Sequence, residues 1–301
     1  MSEQRRGFLF GVVAYSIWGL FPLYWPLLKP SSAEEILAHR VAWSLVVCAV
    51  LLVVVRGGAR IRALFREPRR AAAVTGAAVL IGVNWYVYIW AVNHGHVVES
   101  ALGYFINPLI AVLLGVLVLG ERLRPAQWVA VGISVLAVVV LTVDHGRPPW
   151  IALSLAASFG TYGLLKKVAG MPAAEGLTVE TLVLLAPAAA YLLWLHDTGQ
   201  STFASAGLGH AVLLATTGVV TAVPLLCFAG AANRLPLSTL GLLQFLTPVL
   251  QFLLGITVFH ETMAPARWAG FALVWIALAV FTVEAVRYQR RSMRVAVDSL
   301  T

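Results

Sequence analysis

Ten long apolar segments dominate this 301-residue sequence and leave few folds open to it. Each segment is about 20 residues long, the length that an α-helix needs to cross the hydrocarbon core of a bilayer. Charged residues make up only 11% of the chain, whereas a soluble domain usually carries about 25%. The sequence therefore predicts an all-α membrane protein with ten transmembrane helices. The predicted spans are residues 8–28, 36–55, 71–93, 97–119, 125–143, 149–167, 177–195, 210–232, 235–259 and 265–286.

The basic residues indicate how these spans are oriented. If the N-terminus is cytoplasmic, 17 of the 21 lysines and arginines fall on the inner side and 4 on the outer side. Basic loops are retained in the cytoplasm, so we expect a multi-pass protein of the cytoplasmic (inner) membrane with both termini inside. We therefore expect the lipid bilayer to be a partner of this protein. Nucleic acid is not an expected partner, because no basic groove with stacking aromatics lies outside the apolar segments.

A repeat divides the chain into two halves. Residues 108–128 (PLIAVLLGVLVLGERLRPAQW) and 248–268 (PVLQFLLGITVFHETMAPARW) match at nine of 21 positions at a constant offset of 140. We therefore predict a first five-helix repeat over 1–147, a second over 148–287 and a basic cytoplasmic tail over 288–301. Because five is odd, the two repeats enter the membrane from opposite sides, which is an architecture common among secondary transporters.

The repeated Pro, Gly, Glu, Pro and Trp resemble the EamA repeat of the drug/metabolite transporter superfamily. Other segments are similar to the RarD subgroup of that superfamily. They are Glu35 to Ser44 (EILAHRVAWS), Asn84 to Asn93 (NWYVYIWAVN), Glu99 to Leu109 (ESALGYFINPL) and Gly120-Glu121-Arg122. The resemblance covers about residues 7 to 287. The second repeat has His260-Glu261-Thr262 in place of Gly-Glu-Arg, so a role for the arginine in that turn does not carry over.

The resemblance implies a ten-helix permease without a cofactor that moves a small molecule by alternating access. It implies no particular substrate, direction or coupling ion, and the sequence is compatible with a homodimer. A membrane-embedded enzyme or lipid-modifying protein is the alternative, and a non-transporting scaffold is a third reading. An enzyme should show convergent catalytic residues, and the chain has no G-x-S-x-G, P-loop or H-E-x-x-H motif. We expect no enzyme activity.

Polar and aromatic residues within the apolar spans are the candidates for a substrate site, because burying them in lipid is costly. Tyr104 and Asn107 lie on one face of helix 4, just before Pro108. The offset of 140 maps Tyr104 to Gln244, just before Pro248. The alternative is that these side chains only bond helices together. The candidate substrate-binding residues are Trp18, Asn84, Tyr88, Tyr104, Asn107, Tyr162 and Gln244.

Charged residues near the ends of the spans are candidates for gating or coupling. We expect two pairs, Arg40 with Glu99 outside and Lys166 with Glu180 inside; the alternative is that their charged ends simply reach the interface. The Gly-Glu-Arg-x-x-Pro turn is interpreted as structural, because Glu121 lies four residues before Pro125, ahead of the next helix N-terminus. His94 and His96 flank Gly95 without a third ligand, so we expect no metal site.

Overall fold

The computed structural model of the chain describes residues 3–55, 61–62, 64, 66–119, 123–232, 234–235, 239–240 and 243–298. The regular structure in these ranges is helical throughout, with no strand. The long helices, in chain order, are α1 (Glu3–Tyr24), α2 (Ala33–Val55), α3 (Pro68–Asn93), α4 (Val97–Leu119), α5 (Pro125–His145), α6 (Trp150–Ala169), α7 (Ala173–Asp197), α8 (Leu208–Ala232), α9 (Leu246–Thr257) and α10 (Pro265–Asp298). A 3-10 turn (Trp25–Leu28) follows α1, and a single helical turn (Thr202–Ser205) precedes α8.

Seven helices of the described chain are long and apolar enough to cross a membrane. Shorter apolar helices run over Val97–Ile110 and Leu246–Thr257. Large apolar side chains also cover the outside of the bundle; Val53 is 78% exposed and Leu117 is 71% exposed. Such a surface is stable against lipid and not against water. The chain is therefore an all-helical, multi-pass membrane protein.

The helices differ from the predicted spans at two places. Helix α10 continues to Asp298 and so runs through most of the predicted tail. The predicted span 235–259 is interrupted, because Gln244 and Phe245 form a turn and α9 begins only at Leu246. Pro248 has no N–H to bond the carbonyl of Gln244, and the break places this proline in the first turn of α9, where proline is tolerated.

The helices of the first half, α1–α5, pack mainly on those of the second half, α6–α10. Within the described ranges, α1 packs on α8 and α9, α2 on α7 and α8, α3 on α6 and α7, α4 on α6 and α9, and α5 on α10. These are the most extensive contacts between helices, and each joins the two halves. The halves therefore interdigitate instead of forming two separate bundles.

The contact of α2 with α8 is especially close. A Cβ added at Gly218 of α8 would overlap the backbone carbonyl of Trp43 on α2. Only glycine leaves room for two helix backbones at this separation. Thr221 lies three residues further along α8, and the close packing brings its hydroxyl to the side chain of Arg40 on α2.

Candidate binding site between the two halves

Asn84 is the centre of a hydrogen-bond network that joins three helices. Its side chain is 1% exposed. Its amide nitrogen donates to the carbonyl of Leu155 (3.1 Å) and to the hydroxyl of Ser158 (3.0 Å) on α6. The hydroxyl of Tyr104 on α4 donates to its amide oxygen over 3.3 Å. The sequence left open whether Asn84 lines a cavity or bonds helices together, and these contacts are those of a residue that bonds helices.

Tyr88 and Gln251 extend this polar layer to α9 and α1. The amide nitrogen of Gln251 donates to the hydroxyl of Tyr88 (2.9 Å) and to the carbonyl of Trp18 (3.2 Å). The ring of Tyr88 packs edge-on against that of Tyr104, with centroids 5.6 Å apart. The amide oxygen of Gln251 is buried without a hydrogen-bond partner among the described residues. Polar groups of both halves therefore meet in one layer.

Gln251 is a candidate site residue that sequence reasoning missed. The signal was a glutamine in an apolar helix, three residues after a proline. The repeat instead directed attention to Gln244, which lies in the turn before α9 and is half-buried. The offset aligns Gln251 with Ala111, so a search that requires a polar residue in both repeats cannot find it.

Arg40 is buried among aromatic rings and has no contact with Glu99. Its side chain is 4% exposed, and its Nε donates to the hydroxyl of Thr221 over 2.9 Å. The guanidinium carbon lies 3.9 Å from the ring centroid of Trp85 and 5.1 Å from that of Trp25. The predicted Arg40–Glu99 pair is wrong, because hydropathy gives the depth of a side chain and not which helices are neighbours.

Glu99 instead caps a helix. Its carboxylate accepts the backbone N–H of Ile151 (3.1 Å) at the start of α6. Carboxylates stabilise helix N-termini through their unbonded N–H groups and the helix dipole. Capping of α6 is therefore a sufficient structural reason for a carboxylate at position 99.

The predicted pair of Lys166 with Glu180 is present. The Nζ of Lys166 donates to the carboxylate of Glu180 over 2.7 Å, and the hydroxyl of Tyr162 donates to the other carboxylate oxygen over 3.2 Å. Glu180 is 1% exposed, whereas the side chain of Lys166 is 24% exposed. The ammonium also lies over the ring of Tyr162. This cluster joins α6 to α7.

Trp18 and Asn107, two further predicted residues, each have surroundings of their own. Trp18 packs its ring on Tyr15 and Phe228, with centroids 5.5 and 5.9 Å apart. The amide oxygen of Asn107 is buried without a partner among the described residues, and it faces Gly160 of α6. Among the seven predicted residues, Asn107 thus has a buried polar atom that no described residue bonds.

Loop residues gather at one end of the bundle, which we call the His96 end. It comprises the loops 29–32, 94–96, 146–149, 198–207 and 258–264. Here Glu261 accepts the backbone N–H groups of Val97 and Val98 at the start of α4. Glu261 thus caps α4, which is not the helix that follows it in sequence. Glu121 lies outside the described residues.

A cavity opens at the His96 end and contains none of the seven predicted substrate residues. Its polar lining includes His96, Glu99, Arg147, Glu261 and Arg267. Burial raises the pKa of Glu261, and the two N–H groups that it accepts lower that pKa in part. Burial lowers the pKa of His96.

Comparison with known proteins places the chain among transporters. The model of the EamA-like transporter family matches residues 5–143. A protein named RarD from Streptomyces exfoliatus is 60% identical over 291 residues, which cover 97% of this chain and 92% of that protein. This chain belongs to the RarD group of the EamA-like transporter family. It is therefore a membrane transporter by family, and the sequence resemblance is confirmed.

Other similar proteins span nearly the same length. Protein RarD of Escherichia coli (strain K12) is 42% identical over 97% of this chain and 99% of its own. An uncharacterized transporter of Vibrio cholerae is 44% identical over 95% of both chains. One solved crystal structure is 21% identical and superposes with a TM-score of 0.56, covering 94% of this chain and 98% of the other. That likeness shows a shared fold.

Proposed function

We propose that this RarD-type chain is a secondary transporter that carries a small organic solute across the cytoplasmic membrane by alternating access. In this proposal all ten long helices span the membrane, and the two halves are inverted repeats that move against each other around one shared site. The observation that carries it is the packing of the halves on one another, with polar groups from both halves in one buried layer.

The pattern of helix contacts supports a two-fold relation between the halves. Exchanging the halves converts the contact of α3 with α6 into that of α8 with α1, and the contact of α4 with α6 into that of α9 with α1. The contact of α3 with α7 becomes that of α8 with α2, and α2 with α7, α4 with α9 and α5 with α10 map onto themselves. With five helices in each half, such a relation requires opposite orientations in the membrane.

The loop contacts support the ten-span topology. Three hydrogen bonds join loops or helix ends that this topology places outside. They are those of Glu99 with Ile151, Glu261 with Val97, and Glu35 with Thr202. Two further contacts join positions that the ten-span topology places inside: Arg70 with the carbonyl of Ala169, and Arg124 with Glu284.

Reporter fusions test this topology. A reporter fused after residue 62 or 294 should lie in the cytoplasm, and one fused at 145 or 200 should lie outside. A C-terminus found outside would contradict the ten-span topology.

The direct test of transport is flux into proteoliposomes from a metabolite mixture, with and without an imposed pH gradient. Asn107→Ala should abolish flux with an unchanged unfolding temperature, because its amide oxygen bonds to no described residue. Gln244→Ala, at the position that the repeat relates to Tyr104, should behave in the same way. Asn84→Ala is the matched control and should lower the unfolding temperature, because it removes bonds between α3, α4 and α6.

Two results would count against this proposal. If the protein moves no solute either with or without the pH gradient, it is not a transporter. An Asn107→Ala protein that unfolds early but transports normally per folded molecule would place Asn107 among the residues that bond helices together. If flux depends on the pH gradient, Glu180→Gln should remove that dependence, because Glu180 is the buried carboxylate that could carry a proton between α6 and α7.

A further inference from the structure

The guanidinium of Arg40 is a buried cation without a counter-anion. It lies seven residues beyond the start of α2, about 10 Å along the helix. In the described part of the chain its hydrogen bond goes to Thr221, and no carboxylate bonds to it. The acid closest in sequence, Glu35, uses its carboxylate on the backbone and hydroxyl of Thr202. Lys166, by contrast, has Glu180.

A cation in such surroundings favours an anion over other ligands. Burying a charge is costly unless an opposite charge compensates it. The aromatic faces next to Arg40 already hold its guanidinium, at 3.9 Å over Trp85 and 5.1 Å over Trp25. Aromatic walls alone suit cationic cargo, but here a second cation would be repelled by the first.

Further hydrogen-bonding groups next to Arg40 are also unused. The indole N–H of Trp25 is fully buried and has no acceptor among the described residues. The hydroxyl of Tyr88 accepts from Gln251, and among the described residues its own proton has no acceptor. Tyr88 also interacts electrostatically with Arg40. Two side chains with an unused donor, Trp25 and Tyr88, are therefore neighbours of the Arg40 guanidinium.

The single charge of Arg40 and the aromatic rings around it restrict which kind of anion can bind. One guanidinium balances one negative charge, and its planar fork matches a carboxylate. The rings of Phe21, Trp25 and Trp85 lie around the guanidinium, so the body of a ligand held there would meet apolar surroundings. We infer that Arg40 binds the carboxylate of a small organic monocarboxylate with an apolar body, assisted by Trp25 and Tyr88. This inference rests on the proposed function and names the substrate class of its site.

Binding to the purified protein in nanodiscs tests the inference without transport. The probes are sodium benzoate and sodium hexanoate, with benzamide as the neutral match, benzylamine as the cation, and inorganic phosphate and chloride as inorganic anions. The readouts are the unfolding temperature and titration calorimetry. We expect the two carboxylates to stabilise the wild type saturably, and the amide, the amine, phosphate and chloride to have no comparable effect.

Variants assign the binding to Arg40. Arg40→Gln should abolish the carboxylate effect, and Arg40→Lys should weaken it about tenfold or more, since it loses the bidentate fork. Tyr88→Phe removes one donor without touching the cation, and should weaken binding even if Arg40→Gln folds poorly. Arg70→Gln, at an exposed pair with Glu67, is the matched control and should bind as the wild type does.

Three results would overturn the inference. The first is that benzamide stabilises the protein as much as benzoate does. The second is that the affinity for the carboxylates is unchanged in both Arg40→Lys and Tyr88→Phe. The third is that the protein responds to phosphate or chloride alone. The proposed function fails separately. Carboxylate binding through Arg40 without flux would leave the inference standing and remove the transport proposal, whereas flux of a neutral solute that ignores Arg40 would do the reverse.

Discussion

Two basic residues within the helix bundle, Lys166 and Arg40, have different surroundings. Lys166 donates to Glu180, and Tyr162 completes the coordination of that carboxylate. Arg40 has aromatic rings and a threonine hydroxyl instead. Because the charge of Lys166 is balanced within the protein, removing it should harm the folded state itself.

Lys166→Met should lower the free energy of unfolding by about 3 kcal/mol or more, because it leaves the carboxylate of Glu180 buried and uncompensated. The double variant Lys166→Met/Glu180→Gln should recover most of the loss, since no charge then remains. Arg6→Met is the control, because Arg6 and Glu3 form an exposed pair that is worth no more than about 1 kcal/mol. Denaturant titration in mixed micelles measures all three. Equal losses in the single and double variants would show that packing, not charge, holds this cluster.

Glu261 should give stability a dependence on pH at the His96 end. Its pKa is raised above the ordinary value of 4.5, with burial as the largest cause. The folded state therefore holds this proton more tightly than the unfolded state does. The resulting stabilisation is present below the unfolded pKa and is lost as the pH rises through the raised pKa.

The variant Glu261→Gln should therefore lose less stability than the wild type between pH 4.5 and neutrality. His96, whose pKa is lowered by burial, acts in the opposite direction, so the difference between the two proteins is the quantity to measure. Unfolding temperatures at a series of pH values give that difference. Parallel curves for variant and wild type would show that Glu261 titrates alike in both states.

At the scale of the helices, the sequence predicts most bounds and few neighbours. Long apolar runs have one stable form in lipid, because every backbone N–H and C=O group must be bonded within the segment. The exception is α9, where Pro248 interrupts the run. Which helices touch depends on tertiary packing that hydropathy does not encode. Asn84 and Tyr104 could be found as polar residues within apolar spans, but the pairing of Arg40 with Glu99 could not be judged in that way.

Gly218 offers a test of the contact between α2 and α8. Gly218→Ala should destabilise the protein by about 1–3 kcal/mol, the usual cost of an added methyl in a packed contact, because its Cβ meets the backbone of Trp43. Gly132→Ala on α5 is the matched control; nothing lies within 4 Å of its added Cβ, and it should be neutral or slightly stabilising. Folded yield and unfolding temperature measure both. Equal behaviour of the two variants would mean that α2 and α8 can separate freely.

For the whole molecule, the interdigitated halves predict how fragments behave. Residues 1–147 expressed alone leave α1–α5 without the helices on which they mainly pack. We expect each fragment, 1–147 or 148–301, to be degraded or to aggregate when expressed alone. Co-expression should restore a folded complex, which a tag on one fragment recovers together with the other. A stable, monodisperse 1–147 fragment would show that the first half is an independent unit.

The same interdigitation imposes an order of events during synthesis. When α5 leaves the ribosome, nearly all of the helices that α1–α5 need as neighbours have not yet been made. The remaining stretch of about 150 residues takes about 10–30 s to translate at ordinary rates. During that interval the early helices rest in the bilayer with their polar side chains, Arg40 and Asn84 among them, unmatched by α6, α8 and α9. Biogenesis of this protein thus depends on a waiting state in the membrane, in which a chaperone or the insertion machinery would have the most to protect.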